Sequence, residues 1–271
     1  MQPTRHVALA GSLFFTGLFI TALACASLIG PTPAPTASPA PAASEPTETA
    51  IPLYQQVALQ TTPWQESGTP FEYSIKADIP VLVGSRDPRV QNFNVEMKAV
   101  VDDAIATFKQ NLSGLMPAPD SPPSTFEMHY SLLSPPGDLL SLKFEVQTYY
   151  AGAAHPGDIS RTVTYDLENG RDLSLADLFV PDSDYLGSLA EYCIAQLGTR
   201  DIGFQGFELG ATATSQNYRN WNITAEGLMI TFDEYQVAPY AAGPQTVIVP
   251  YSELAPLTRP DGPLALYTHR Q

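Results

Sequence analysis

The sequence predicts an α+β fold, mainly antiparallel sheet with packed helices. Strand-period segments separated by Pro, Gly and Asn-Gly turns outnumber helical ones, and a single long stretch carries the helical period. Strand and helix do not alternate regularly along the chain, which argues against a wound parallel sheet. With 271 residues the chain is long enough to bury a sizeable core.

Residues 1–24 read as an export signal. Arg5 precedes an uncharged apolar run that ends in small residues before Cys25, the layout of a secretory signal. Ala22, Leu23, Ala24 and Cys25 resemble the bacterial lipobox, in which the cysteine is lipidated and becomes the mature N-terminus. Ala22 stands where leucine is preferred. Plain secretion and an uncleaved anchor are the alternatives, the latter because the 24 uncharged residues from Val7 to Gly30 would make a helix of roughly 36 Å, enough to cross a bilayer. In each case Arg5 stays on the cytoplasmic side, so everything after residue 30 is expected outside, and the lipobox-like end favours a membrane anchor at the cell envelope.

Residues 25–69 read as a linker. The stretch 31–50 holds only Pro, Ala, Thr, Ser and Glu, has nothing to bury, and favours extended polyproline geometry. The folded domain is expected over 70–257, with an N-terminal strand–helix module at about 70–133 and a C-terminal module at about 139–257. Residues 258–271 are left as a tail.

Within the domain, Ile75, Ala77 and Ile79 alternate with Lys76 and Asp78 in the period of a half-buried strand. Asp87 followed by Pro88 is an N-cap and first-turn signal. From there Val90, Phe93, Met97, Val100, Ala104, Ile105, Phe108 and Leu112 recur at helical spacing, the best helix in the chain. Strands are expected at 125–133, 139–150 and 159–167, with turns at Pro135, Pro136 and Gly137 and at Asn169 and Gly170. Residues 173–179 and 185–197 read as helices, the second capped by Asp182 or Ser183 and closed by Gly198. Strands at 221–224, 228–232 and 246–249 complete the order.

The chemistry-bearing residues point to binding before catalysis. Acidic residues number 28 against 13 basic, which argues against nucleic acid as a partner. His6, His129, His155 and His269 are far apart, and no Cys-x-x-Cys, P-loop, Gly-x-Ser-x-Gly or Gly-x-Gly-x-x-Gly motif occurs. No catalytic residue, metal ligand or cofactor is therefore assigned. Asp182 and Asp184 lack the later spacing of a calcium loop. Cys193 reads as a small core residue at helical spacing from Leu189 and Leu197.

Two loops stand out. Tyr149, Tyr150, Gly152 and His155 lie in a small-residue loop between strands, where the backbone can approach a partner closely. Tyr235, Pro239, Tyr240 and Gly243 lie in a second, beside the acidic pair Asp233 and Glu234. Tyrosine and glycine in loops suit recognition surfaces. A hydrolase using Asp233 or Glu234 with His155 is the catalytic alternative, weakened because adjacent strand residues face opposite ways.

These segments also carry a resemblance. YAGAAH at 150–155, TYDLENG at 164–170, DLSLADLF at 172–179, WNITAEGLMITF at 221–232, YQVAPYAAG at 235–243 and VPYSEL at 249–254 resemble a bacterial domain of unknown function. That domain is found in the extracellular part of RsiV-type anti-sigma factors and in PdaC-type peptidoglycan deacetylases. In the RsiV type it is a lysozyme receptor, so the resemblance implies an envelope recognition module with these two loops as contact segments. Only six residues precede the apolar run, so no anti-sigma role is expected, and the separate deacetylase domain of the PdaC type is not expected either. The expected partners are the membrane, through the N-terminal lipid or anchor, and either a basic lysozyme-like muramidase or cell-wall glycan. The remaining alternative is a structural component of an envelope complex. Setting aside Arg5, Glu45 and Glu48 leaves 26 acidic residues against 12 basic ones beyond residue 50, so the acidity belongs to the folded part and favours a basic partner.

Overall fold

The computed structural model describes residues 51–69, 72–118, 120–203 and 205–268. The export signal, Cys25, His6, His269 and the Pro/Ala/Thr stretch lie outside the described residues. Among those described, no helix is long and apolar enough to cross a membrane.

Two sheets, each with its own core, make up the domain. The first has six strands in chain order: β1 (Ala58–Gly68), β2 (Tyr73–Val83), β3 (Ser124–Leu132), β4 (Leu139–Tyr149), β5 (Gly157–Asp166) and β6 (Arg171–Asp172). All neighbours pair antiparallel except β2 and β3, which run parallel. A parallel pair needs a crossover, and α1 (Pro88–Leu112) supplies it. The fold is thus α+β and mainly antiparallel, as the strand periods predict.

The start of α1 is set locally. Asp87 caps it, its carboxylate accepting from Arg89 N at 2.9 Å, with Pro88 in the first turn. Val90, Phe93, Met97, Val101, Ala104, Ile105, Phe108 and Leu112 are buried along one stripe against β2, β3 and β4. Each large side chain contributes roughly 1.5–3 kcal/mol on burial, so packing more than propensity holds the helix.

The second sheet is a meander of β7 (Trp221–Ile223), β8 (Gly227–Phe232) and β9 (Gln245–Pro250), packed with α2 (Tyr185–Gly198). Short helices α3 (Tyr251–Leu254) and α4 (Ala265–Thr268) close the described chain. The sheets meet through a buried polar knot. Ser141 Oγ bonds Thr164 Oγ1 at 2.8 Å and accepts from Asn222 Nδ2 and Ile223 N, both at 3.0 Å. Asn222 Nδ2 also donates to Leu142 O at 3.0 Å, while its Oδ1 is buried with no partner among the described residues; the bonds made across the seam fix where β7 lands on the first sheet.

Several boundaries differ from expectation. The linker expected to reach residue 69 ends earlier, because Leu53 is buried and β1 pairs with β2 along its whole length. β1 is an edge strand exposed on both faces, so it carries no apolar alternation to read. Its Pro63 pairs with Asp78, and Thr61 with Pro80. Both prolines fall on the same alternation of the ladder, so their missing N–H groups face away from the partner strand. Pro63 thereby blunts the outer edge.

The expected break between modules at 133–139 falls inside the first sheet; the change of core comes after Leu167 and before Leu173. The expected tail is part of the fold, since Thr258 bridges Phe179 and Leu264 is fully buried. The helix expected at 173–179 is a four-residue 3-10 turn, Leu175–Leu178. Asp184, rather than Asp182 or Ser183, caps α2 by accepting from Gly187 N, and Gly198 lies inside the helix, with Thr199 after it.

Candidate functional site

The two loops singled out by sequence meet. The first joins β4 to β5; the second follows β8 and leads into β9. His155 and Tyr240 stack with ring centroids 3.8 Å apart and planes 28° off parallel. Tyr235 lies over Tyr240 at 6.0 Å and 25°, and its hydroxyl is 3.4 Å from His155 Nε2. Three rings from segments 80 residues apart thus form one stacked face, with His155 and Tyr235 exposed and Tyr240 half-buried between them.

Each ring is held by its own loop. His155 Nδ1 donates to Pro156 O at 2.7 Å, which leaves Nε2 directed to Tyr235. Pro239 precedes the short 3-10 turn Tyr240–Ala242, and Gly243 ends it at φ +64°, a conformation that suits glycine. Tyr235 itself has φ +63° and is 59% exposed. For a tyrosine this left-handed backbone costs about 1–2 kcal/mol, and strain of this kind clusters at functional sites. Gln236 holds the strained turn in place. Its Oε1 accepts from Asp233 N at 3.2 Å, and its Nε2 donates to Gly210 O and Asn217 O at 2.9 and 3.0 Å. A side chain at Gly210 would run into the Gln236 carbonyl, so only glycine permits that approach.

The acidic pair beside the rings plays a structural part. Asp233 is buried and accepts from Ser160 N at 2.8 Å, from Asn220 Nδ2 at 3.0 Å and from the Arg219 guanidinium. Glu234 Oε2 accepts from Asp158 N at 3.1 Å. The carboxylates bind backbone N–H groups on β5 where another strand would otherwise pair. Among the described residues no bond joins either carboxylate to His155, and Asp233 accepts three bonds from Ser160, Asn220 and Arg219. Sequence reasoning had weighed Asp233 and Glu234 only as catalysts and missed this fastening role.

The remaining candidates divide. Gly152, at φ +88°, is exposed at the tip of the β4–β5 loop with open space where a Cβ would sit. Tyr149 is half-buried at the end of β4, opposite Thr125. Tyr150 faces away from the ring face: it stacks on Phe108 at 5.4 Å and its hydroxyl accepts from Asn111 Nδ2. It packs α1 onto the sheet. Around the rings the field is negative. Burial and the nearby Glu234 and Asp158 carboxylates hold the Tyr240 hydroxyl above the usual tyrosine range. Next to this face, Glu127, His129, Lys143, Glu145 and Pro244 line a shallow groove of about 330 Å³ on the open face of the first sheet.

Comparison with known proteins agrees with the architecture. Residues 176–252 match the model of a family described as a protein of unknown function, DUF3298. That stretch includes the Tyr235–Gly243 loop but begins after His155. Over 108 residues, 39% of this chain, the sequence is 31% identical to the peptidoglycan-N-acetylmuramic acid deacetylase PdaC of Bacillus subtilis (strain 168), and the match spans 23% of that protein's length. A DUF3298 family member from Bacteroides fragilis superposes with a TM-score of 0.58 at 16% identity, covering 79% of this chain and 98% of that one. Another from Pseudomonas aeruginosa PAO1 gives 0.55 at 15% identity, covering 77% and 97%. At these identities the structural likeness is one of fold.

Proposed function

We propose that this protein is a non-catalytic binding module anchored at the cell envelope, and that the Tyr235, Tyr240 and His155 face holds a basic protein of the lysozyme-like muramidase kind. The union of the two loops into one ring stack at the surface carries the reading. Tyrosine faces beside the Glu234 and Asp158 carboxylates suit arginine and lysine side chains, which stack on rings and pair with acids. The net charge of −15 would steer a cationic partner, at a rate that falls with salt. The N-terminal signal with Cys25 supports the envelope location, and the lysozyme-receptor-type resemblance supports the partner class.

A second reading, cell-wall glycan as the ligand, is favoured by the partial likeness to a peptidoglycan deacetylase. Calorimetric titration of the protein with lysozyme and, separately, with soluble muropeptides distinguishes them. The expected result is saturable heat with lysozyme at low salt, weakened at least tenfold by Tyr240→Ala. Heat with muropeptides alone would transfer the site to the second reading, and silence with both would overturn the proposal.

A further inference from the structure

We infer that the partner surface extends beyond the ring face onto the 3-10 turn Phe207–Ala211. Leu209 and Glu208 there seat a second lysine or arginine side chain of the same basic partner, its hydrocarbon stem on the leucine and its charged head at the carboxylate. This rests on the ring face holding a basic protein, and adds a contact from a segment that neither ring-bearing loop contains.

Backbone packing brings the turn to the rings. Gly210 approaches the Gln236 carbonyl so closely that no side chain would fit there, and Gln236 Nε2 donates to Gly210 O at 2.9 Å. Leu209 precedes Gly210 and Tyr235 precedes Gln236, so one large exposed side chain from each segment flanks this contact. Leu209 is 79% exposed and Tyr235 59%. An isolated exposed leucine needs no partner, but apolar groups gathered at one place on a surface mark interaction sites.

Leu209 is also held firmly. Gly206 opens the turn at φ +78°, Leu209 N donates to Gly206 O at 3.1 Å, and Leu209 O accepts from Thr212 Oγ1 at 3.1 Å. Asn217 Nδ2 braces the same turn through Thr212 O at 3.0 Å and Thr212 Oγ1 at 2.8 Å. A backbone fixed in this way loses little freedom when a partner covers it.

The chemistry of the partner follows from a pairing that both turns carry. Glu208 stands directly before Leu209 and is exposed; Glu234 stands directly before Tyr235 and is half-buried. Hydrocarbon next to a carboxylate matches lysine and arginine, whose stems cover apolar surface while their heads pair with acids. A neutral apolar partner would instead desolvate the Glu208 carboxylate without pairing it.

The test is calorimetric titration of the full chain, in a neutral detergent, with lysozyme at low and at high salt. Leu209→Ser should weaken binding about fivefold at both, because a hydrocarbon contact is not screened, whereas Glu208→Gln should weaken it at low salt only. Leu209→Met should bind as the wild type does. Since Leu209 faces water, an unchanged melting profile confirms that each variant keeps the fold. Full binding by Leu209→Ser, or a loss that vanishes at high salt, would overturn the inference; the ring face would still stand if Tyr240→Ala weakens binding in the same experiment. Full binding by Tyr240→Ala would overturn the ring face and the extension with it, as would silence with lysozyme.

Discussion

The carboxylate of Asp233 accepts the backbone N–H of Ser160 at 2.8 Å, so a side chain from the second sheet takes the place of a strand along β5 of the first. The same carboxylate also holds Asn220 and Arg219. Asp233→Ala would leave a buried N–H and a buried amide unpaired, each costing about 1–3 kcal/mol. The expected loss is therefore about 2–4 kcal/mol, read as a shifted midpoint in denaturant. Asp233→Asn keeps an acceptor and should lose less. Equal stability of Asp233→Ala and wild type would show that the seam does not depend on this contact.

The same residue shows why function was harder to read than fold. α1 was legible because Asp87, Pro88 and the periodic stripe all point the same way, and the observed helix starts where the cap predicts. β1 was not legible because both of its faces are exposed and the period of a half-buried strand is absent. The two ring-bearing loops were legible as loops, from their Gly, Ala, Pro and Tyr content. Their meeting was not, because nothing local in the sequence states that His155 stacks on Tyr240. Tyr150 shows the same limit: it follows Tyr149 in a small-residue loop, and its ring stacks on Phe108 of α1, a contact that no local pattern states. Residue type located the loops, and only packing separated the rings that stack together at their surface from the one that packs on α1.

Cys193 should be inert in the native protein. It is fully buried in the second core, and burial pushes its thiol up to about 12, so almost no thiolate forms near neutrality. Mass spectrometry after iodoacetamide treatment should find this residue unmodified in native buffer and fully alkylated in denaturant. Rapid native alkylation would mean that α2 opens readily from the second sheet.

Cys25 should carry lipid. The small residues before it and the single basic residue at the start lead to this expectation. Radiolabelled palmitate should enter the protein in a bacterial host and disappear in Cys25→Ser. The mass of the membrane-extracted chain should correspond to loss of residues 1–24 plus lipid. An intact N-terminus would support the uncleaved anchor instead.

Stability should fall as pH rises through the weakly acidic range, and Glu96 on α1 is the cause. Burial, and then the neighbouring Asp172 carboxylate on β6, push the Glu96 carboxyl up to about 7 from an ordinary 4.5. Its Oε2 is buried with no hydrogen-bond partner among the described residues. Between those two pH values the folded protein holds a proton that the unfolded chain has released, so unfolding becomes easier with each step up in pH. Below about 4.5 both states are protonated and above about 7 both are ionised, so the contribution is flat outside the window. Asp87, held near 2 by Arg89, acts in the opposite sense and only at lower pH, where its protonation removes the cap of α1. Glu96→Gln removes the ionisation while keeping the shape. Its melting temperature should exceed that of the wild type at pH 8, and the gap should close as pH falls towards 4.5. A constant gap across that range would show that Glu96 does not titrate in the window.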